Sequence, residues 1–171
     1  MTSLIFAATS DLAGKTRGKA FPADQLEKRL QRGVGWTPTN VQINCFDVIA
    51  DSPFGALGDL LLIPDVKTHV QAEFEDRTEQ LVLGDIVTLE GEPWDFCTRS
   101  LLKSALARLK DVGGVSLLSA FEHEFQLKGD LNLTGEAYGR TGFEVQRVLC
   151  ELLMDRLTSA GFSPDSIMKE Y

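Results

Sequence analysis

The sequence has no basic cluster. Its 17 Lys and Arg are outnumbered by 25 Asp and Glu, giving a formal charge of -8, and no patch of cations of the kind that grips a phosphate backbone is present. A nucleic-acid partner is therefore not expected. Nor is there an apolar run near the length that spans a bilayer, so no membrane partner is expected either. The opening Met1-Thr2-Ser3-Leu4-Ile5-Phe6-Ala7-Ala8 lacks a basic region and meets Asp11 before any long apolar stretch, which does not read as a signal peptide. Cysteines are few: Cys45, Cys97 and Cys150 are odd in number and lie roughly fifty residues apart, which fits reduced thiols better than a disulfide framework or a metal-ligand spacing. The expected compartment is the cytoplasm.

Two glycine-rich pieces fall short of nucleotide motifs. Gly14-Lys15-Thr16 looks like the tail of a phosphate-binding loop, but the glycine required five residues earlier is Thr9. Gly33-Val34-Gly35 would need a third glycine where Pro38 stands, so a dinucleotide fingerprint fails as well.

What is present is an ordinary globular composition over 171 residues, 43% hydrophobic and 25% charged. That length suits one domain plus part of another. Residues 3–8 and 15–21 read as a hairpin around the turn Asp11-Leu12-Ala13-Gly14. A helix follows from Asp24, with Leu26 and Leu30 four apart and Gly33 as its stop. Residues 34–58, with Pro38, Pro53 and Gly55, read as a long loop around one short strand, and loops of that length are often functional. Leu60-Leu61-Leu62-Ile63 predicts a buried strand ended by Pro64-Asp65, and residues 81–90 another strand interrupted by a turn at Gly84-Asp85. Strands around one helix make a small α+β unit, with a boundary at Gly91-Glu92-Pro93. Beyond it, residues 100–111 form an amphipathic helix stopped by Gly113-Gly114. Residues 143–160 form a longer helix whose stripe Val145, Val148, Leu149, Leu152, Leu153 and Leu157 is expected to be core. A loop with Gly135, Gly139 and Gly142, following Lys128-Gly129-Asp130, precedes it. Residues 163–171 read as a loop entering a strand, so the chain is expected to end inside an element.

The most chemical segment is Leu117-Leu118-Ser119-Ala120-Phe121-Glu122-His123-Glu124-Phe125-Gln126-Leu127. Its mixed apolar character predicts a strand covered on both faces. At period two, Glu122 and Glu124 share one side, while Phe121, His123 and Phe125 share the other. Two like charges in a covered strand need a cation, and oxygen ligands suit magnesium, manganese or calcium. A solvated edge strand would carry the same pair without one. His123, facing away from the acids, reads as a packing imidazole rather than a ligand or base.

The order of motifs is informative where each alone is weak. Asp11-x-x-Gly14-x-x-Arg17-Gly18-Lys19, then Gly33-Val34-Gly35, Gly58-Asp59-Leu60-Leu61-Leu62-Ile63-Pro64-Asp65-x-x-Thr68, Cys97-Thr98-Arg99-x-x-Leu102 and Glu122-His123-Glu124-Phe125 together resemble the N-terminal part of the glutamine synthetase family. The branch most resembled includes γ-glutamylpolyamine synthetases. The resemblance implies a β-grasp N-terminal domain over residues 1–95, then the incomplete start of a glutamine synthetase-type catalytic domain over residues 96–171. It implies an ATP-dependent glutamate–amine ligase acting through a γ-glutamyl phosphate, with Mg2+ or Mn2+ and ATP as cofactors and glutamate and an amine as substrates. Glu122 and Glu124 stand at metal-ligand positions, one to each of two ions; Glu170 is a third ligand candidate, and Asp165 an ATP-contacting one. Thr37 and Asn40 fall in the amine-binding loop, which family members present across a subunit interface of a double-ringed homo-oligomer. In that loop Trp36-Thr37-Pro38-Thr39-Asn40 replaces the usual Phe-Asp-Gly-Ser-Ser, which points to an amine other than ammonia. The family's remaining metal and substrate residues would follow Tyr171, so this stretch alone is expected to be inactive. A structural or interaction protein that kept the fold without catalysis is the alternative.

Overall fold

The computed structural model describes residues 2–128 and 134–170. The chain divides into two compact units, Met1–Leu117 and Leu118–Tyr171.

The first unit is built on a mixed sheet. Strands β1 (Leu4–Ser10) and β2 (Thr16–Pro22) form the expected antiparallel hairpin, in register from Leu4 opposite Pro22 to Ser10 opposite Thr16. A single 3-10 turn, Ala23–Gln25, leads into helix α1 (Leu26–Arg32). Gly33 ends α1 with φ of 71°, in the left-handed region that costs glycine little. Strand β3 (Val34–Trp36) then pairs antiparallel with β4 (Leu60–Pro64). Strands β5 (Val70–Glu73) and β6 (Thr78–Val87) follow. The sheet order is β2-β1-β6-β4-β3, with β5 also paired to β6. β1 and β6 run parallel, and the other pairs are antiparallel.

β4 and β5 occupy the same edge of β6 in succession. β4 pairs with residues from Val87 back to Gly84, and β5 with residues from Leu81 back to Thr78. The break between them is filled by Asp65 and Thr68. The Asp65 amide donates to the Leu83 carbonyl at 2.7 Å, and the Leu83 amide donates to Thr68 Oγ1 at 2.8 Å. The ladder's hydrogen bonds are thus completed by a turn where no strand residue could supply them.

The expected turn at Gly84-Asp85 is not there. β6 continues straight through both residues, with Gly84 opposite Pro64 and Asp85 opposite Ile63. Close packing explains the glycine: a Cβ at Gly84 would lie 2.9 Å from the Ile63 carbonyl oxygen and 2.9 Å from Leu62 Cγ. β5, whose four residues were too short and polar to stand out, is an addition to the sequence reading.

The core gathers Ile5, Ala7, Phe21, Val34, Trp36, Val41, Leu60, Leu62, Val82, Ile86 and Cys97, with Leu26 of α1 packed against it. Side chains of Val, Leu or Ile size contribute roughly 1.5–3 kcal/mol each when fully buried. Helix α2 (Thr98–Gly113) closes the unit and is stopped by Gly114 at φ 65°. Its first turn is tied to the sheet, since Thr98 Oγ1 donates to the Ser10 carbonyl at 2.9 Å. Its apolar side is open: Leu101 and Leu102 are exposed.

In the second unit, residues 118–128 pair with no strand among the described residues, which corrects the expected covered strand. A strand needs a ladder partner for its amides and carbonyls. Leu118 and Phe121 are exposed accordingly. The Phe121 and His123 rings, two residues apart, lie 6.1 Å centroid to centroid. His123 is exposed rather than packed in a core.

Helix α3 (Arg140–Ser159) forms as expected, but only Gly142 and Cys150 of it are buried. The stripe read as core is largely uncovered among the described residues, with Val148 80% exposed. Glu144 and Arg147 pair at 2.7 Å on its surface. Residues 162–170 form no strand, which corrects the second expected strand as well. Of the predicted glycine loop, Gly139 caps α3 and Gly142 lies inside it; Gly129 and Asp130, just before that loop, lie outside the described residues. Across the described residues, no helix is long and apolar enough to cross a membrane.

Candidate functional site

The motifs of the first unit have structural work that their spacing already encodes. Asp11 is buried and closes the β1–β2 turn: its Oδ1 accepts from the Ala13 amide at 2.9 Å and the Lys15 amide at 2.8 Å. Its Oδ2 accepts from Arg17 Nε at 2.9 Å. Burial pushes this carboxyl up, but the hydrogen bonds from Arg17, Lys15 and Ala13 outweigh it and hold Asp11 below the usual carboxylate range.

A second ionic group joins β4, β6 and α2. Arg99 donates to Asp65 Oδ2 at 2.7 Å and to Asp85 Oδ1 at 2.8 Å, and Lys103 reaches Asp85 Oδ2 at 2.5 Å. The hydrogen bond from Arg99 holds the Asp65 carboxyl below its ordinary value despite burial. Desolvation pulls Arg99 down, and Asp65 and Asp85 more than restore it. The buried Cys97 Sγ accepts from the Ile86 amide at 3.2 Å. Asp65, Thr68, Cys97 and Arg99, noted in sequence as motif residues, are therefore joints of the fold.

The long segment after β3 is ordered in detail. Trp36 is buried at the strand end, and Pro38–Val41 forms a 3-10 turn. Thr37 and Asn40 sit on this turn, both half-buried. Thr37 Oγ1 lies 2.6 Å from Thr39 Oγ1, and the Asn40 amide donates to the Thr37 carbonyl at 3.2 Å. Buried Gln42 holds the rest: its carbonyl accepts from the Ala50 amide at 2.9 Å, and its Nε2 donates to the Gly55 carbonyl at 3.1 Å. Asn44 Oδ1 accepts from the amides of Phe46 and Val48. Phe54 packs against Trp94 and Phe96 at 5.0 and 4.5 Å between ring centroids. Sequence reasoning passed over Gln42 and Asn44, although an Asn two residues before a polar bend is a recognised turn former.

The candidate carboxylates lie in the second unit. Glu122 and Glu124 are exposed on the extended segment, and Asp165 is exposed near the other end. Glu170 is fixed more closely. Tyr138 Oη donates to Glu170 Oε1 at 2.8 Å, and the Tyr138 amide donates to the Lys169 carbonyl at 2.8 Å. Tyr138 has φ of 54°, a conformation uncommon for a bulky side chain. The donors are hard oxygens of the type magnesium or manganese takes. Among the described residues, however, no three His, Cys, Asp or Glu side chains converge to hold an ion. These residues offer carboxylate ligands without closing a coordination sphere.

Comparison with known proteins gives the relationship. The family model of the glutamine synthetase N-terminal domain matches residues 1–94. The chain is 31% identical over 134 residues to the type-1 glutamine synthetase 1 of Dictyostelium discoideum, covering 71% of this chain and 27% of that protein. It is 36% identical over 72 residues to a glutamate–isopropylamine ligase of a Pseudomonas species, covering 42% of this chain and 15% of that protein. A solved structure described as a novel glutamine synthase homolog superimposes with a TM-score of 0.83 at 28% identity, covering 100% of this chain and 41% of that one. The chain thus spans about a quarter, or less, of the curated relatives it matches. With its N-terminal half matched by the family's own domain and the whole chain superimposable on a family homolog, the chain belongs to the glutamine synthetase family.

Proposed function

We propose that the chain is the N-terminal part of an ATP-dependent glutamate–amine ligase whose acceptor is an amine other than ammonia. Residues 1–95 are its β-grasp N-terminal domain, and residues 96–171 begin its catalytic domain, with α2 docked on the sheet through Arg99. The observation that carries the reading is the presence in one chain of the family's N-terminal domain and the run Glu122-His123-Glu124-Phe125, whose acids are both exposed.

In the reaction a γ-carboxylate oxygen of glutamate attacks the γ-phosphorus of ATP and ADP leaves. The amine nitrogen then attacks the acyl phosphate, phosphate leaves, and the nitrogen gives up a proton. Glu122, Glu124 and Glu170 would hold divalent Mg2+ or Mn2+, which when bound offsets the charge of phosphoryl oxygens and carboxylate brought together. Asp165 would face ATP. Thr37 and Asn40 would line the acceptor site of a neighbouring subunit in a double-ringed homo-oligomer. Thr37 is neutral where an aspartate would attract ammonium, and one relative is named for isopropylamine, which supports a larger acceptor.

In this reading the 171 residues alone are inactive, because three carboxylates are too few to complete a two-metal site. The alternative is a family member retained for assembly rather than chemistry. Assaying the complete polypeptide with ATP, glutamate and a panel of amines separates the two. The ligase reading expects γ-glutamyl amide with ADP and phosphate, faster with an alkylamine or polyamine than with ammonia. No product with any amine would leave the assembly reading standing.

A further inference from the structure

The hairpin β1–β2 and the stretch running from β3 into the segment after it belong to different parts of the sequence, yet three separate ties join them. Arg17 and Lys19 are two residues apart on β2 and so project from one face. Lys19 Nζ donates to the Gly35 carbonyl at 2.6 Å and lies 5.7 Å from the Trp36 ring centroid. The Leu12 amide donates to the Val41 carbonyl at 3.1 Å. Arg17 Nη2 donates to the Ile43 carbonyl at 3.3 Å, and its Nη1 lies 3.6 Å from Asp47 Oδ1. Residues 35–47 are thereby held at their start, middle and end. Thr37 and Asn40 lie between the first two ties.

The Arg17 tie is the one with its own anchor. Arg17 is mostly buried, and its Nε is fixed on Asp11, whose other oxygen is already occupied by two backbone amides. The guanidinium therefore has little freedom to follow the segment if the segment moves. A planar fork with several donors can serve Asp11 and Ile43 at once, whereas a lysine ammonium at this position could not reproduce that geometry.

We infer that Arg17 is a positioning residue for the acceptor amine: anchored on Asp11, it fixes the 35–47 segment that presents Thr37 and Asn40. The inference rests on reading that segment as the acceptor loop. It assigns Arg17 no contact with substrate and no part in phosphoryl transfer. Its effect belongs to acceptor binding, not to ATP.

Two measurements on Arg17→Gln and Arg17→Lys test it. In hydrogen exchange on the 171-residue chain, the amides of Asn44, Phe46, Val48 and Ala50 exchange about tenfold faster in both variants, the scale expected on losing a hydrogen bond to a charged group. The amides of Val82 and Ile86 in the central strand keep their protection. In the complete ligase, KM for the amine rises about tenfold on the same basis, while KM for ATP and for glutamate stays put. Loop amides that exchange no faster would overturn the clamp, as would equal acceleration of Val82 and Ile86. An unchanged amine KM alongside a loosened loop would overturn the positioning role. If the unsubstituted ligase forms no amide at all, it is the functional reading that fails, and the exchange data still decide the clamp.

Discussion

Tyr138 donates its hydroxyl hydrogen to one oxygen of Glu170 at 2.8 Å while its own amide binds the carbonyl of Lys169. A side chain and a backbone contact from one residue thus hold the carboxylate that stands third among the candidate ligands. Only one oxygen of that carboxylate is used by Tyr138. Partners that orient a metal ligand typically change affinity by roughly 10–100-fold when removed. Tyr138→Phe in the complete ligase is expected to weaken Mn2+ binding about tenfold, read by titration of the ion. Unaltered affinity would separate Glu170 from the metal centre.

Glu122 and Glu124 are exposed and belong to no ladder. Changing them to Gln in the 171-residue chain is expected to leave its stability within about 0.5 kcal/mol, as for surface sites generally. The same changes in the complete ligase are expected to abolish metal-dependent amide formation. Melting curves and activity together distinguish a ligand from a structural acid.

Asp65 and Arg99 give a pH dependence with a definite sign. Pairing with Arg99 depresses the folded-state pKa of Asp65, so its contribution is fully present above the unfolded value near about 3.9. It is lost as pH falls through the folded value. The stability gap between the unsubstituted chain and Asp65→Asn is expected to be about 1 kcal/mol at neutral pH, and to close progressively below about pH 4. Denaturant melts across pH 2.5–7, about the range over which a carboxylate titrates, would read it. A gap that widens in acid would contradict the pairing.

Gly84 tests the sheet itself. Its Cβ-free position faces the Ile63 carbonyl and Leu62, so Gly84→Ala is expected to cost about 1–3 kcal/mol through overpacking. A glycine placed for a turn would tolerate alanine differently. A melting temperature unchanged by this substitution would argue against the β4–β6 register.

The legible parts of this chain were those whose information is local. The β1–β2 hairpin follows from the apolar residues on either side of the Asp11–Gly14 turn, α1 and α2 from helical spacing closed by Gly33 and Gly114, and α3 from helical spacing. Gly84 misled because a glycine demanded by close packing and one demanded by a turn are identical in sequence. The segment around Glu122 misled for a different reason. Its apolar pattern encodes a strand, but a pattern does not bring the neighbouring strand with it, and the described residues contain none that pairs there. Thr37 and Asn40 were singled out through family motifs alone, whereas Arg17's reach to Ile43 joins residues 26 apart in sequence and leaves no periodic trace.

In the proposed function this chain supplies half of a metal-dependent ligase site. Its most direct test is ATP-dependent γ-glutamyl amide formation, measured side by side for the complete polypeptide, for the complete polypeptide with Glu122→Gln and Glu124→Gln, and for the 171 residues alone. Product, with ADP and phosphate, is expected from the first and from neither of the others. Turnover by the 171-residue chain, or full activity with both glutamates replaced, would contradict it.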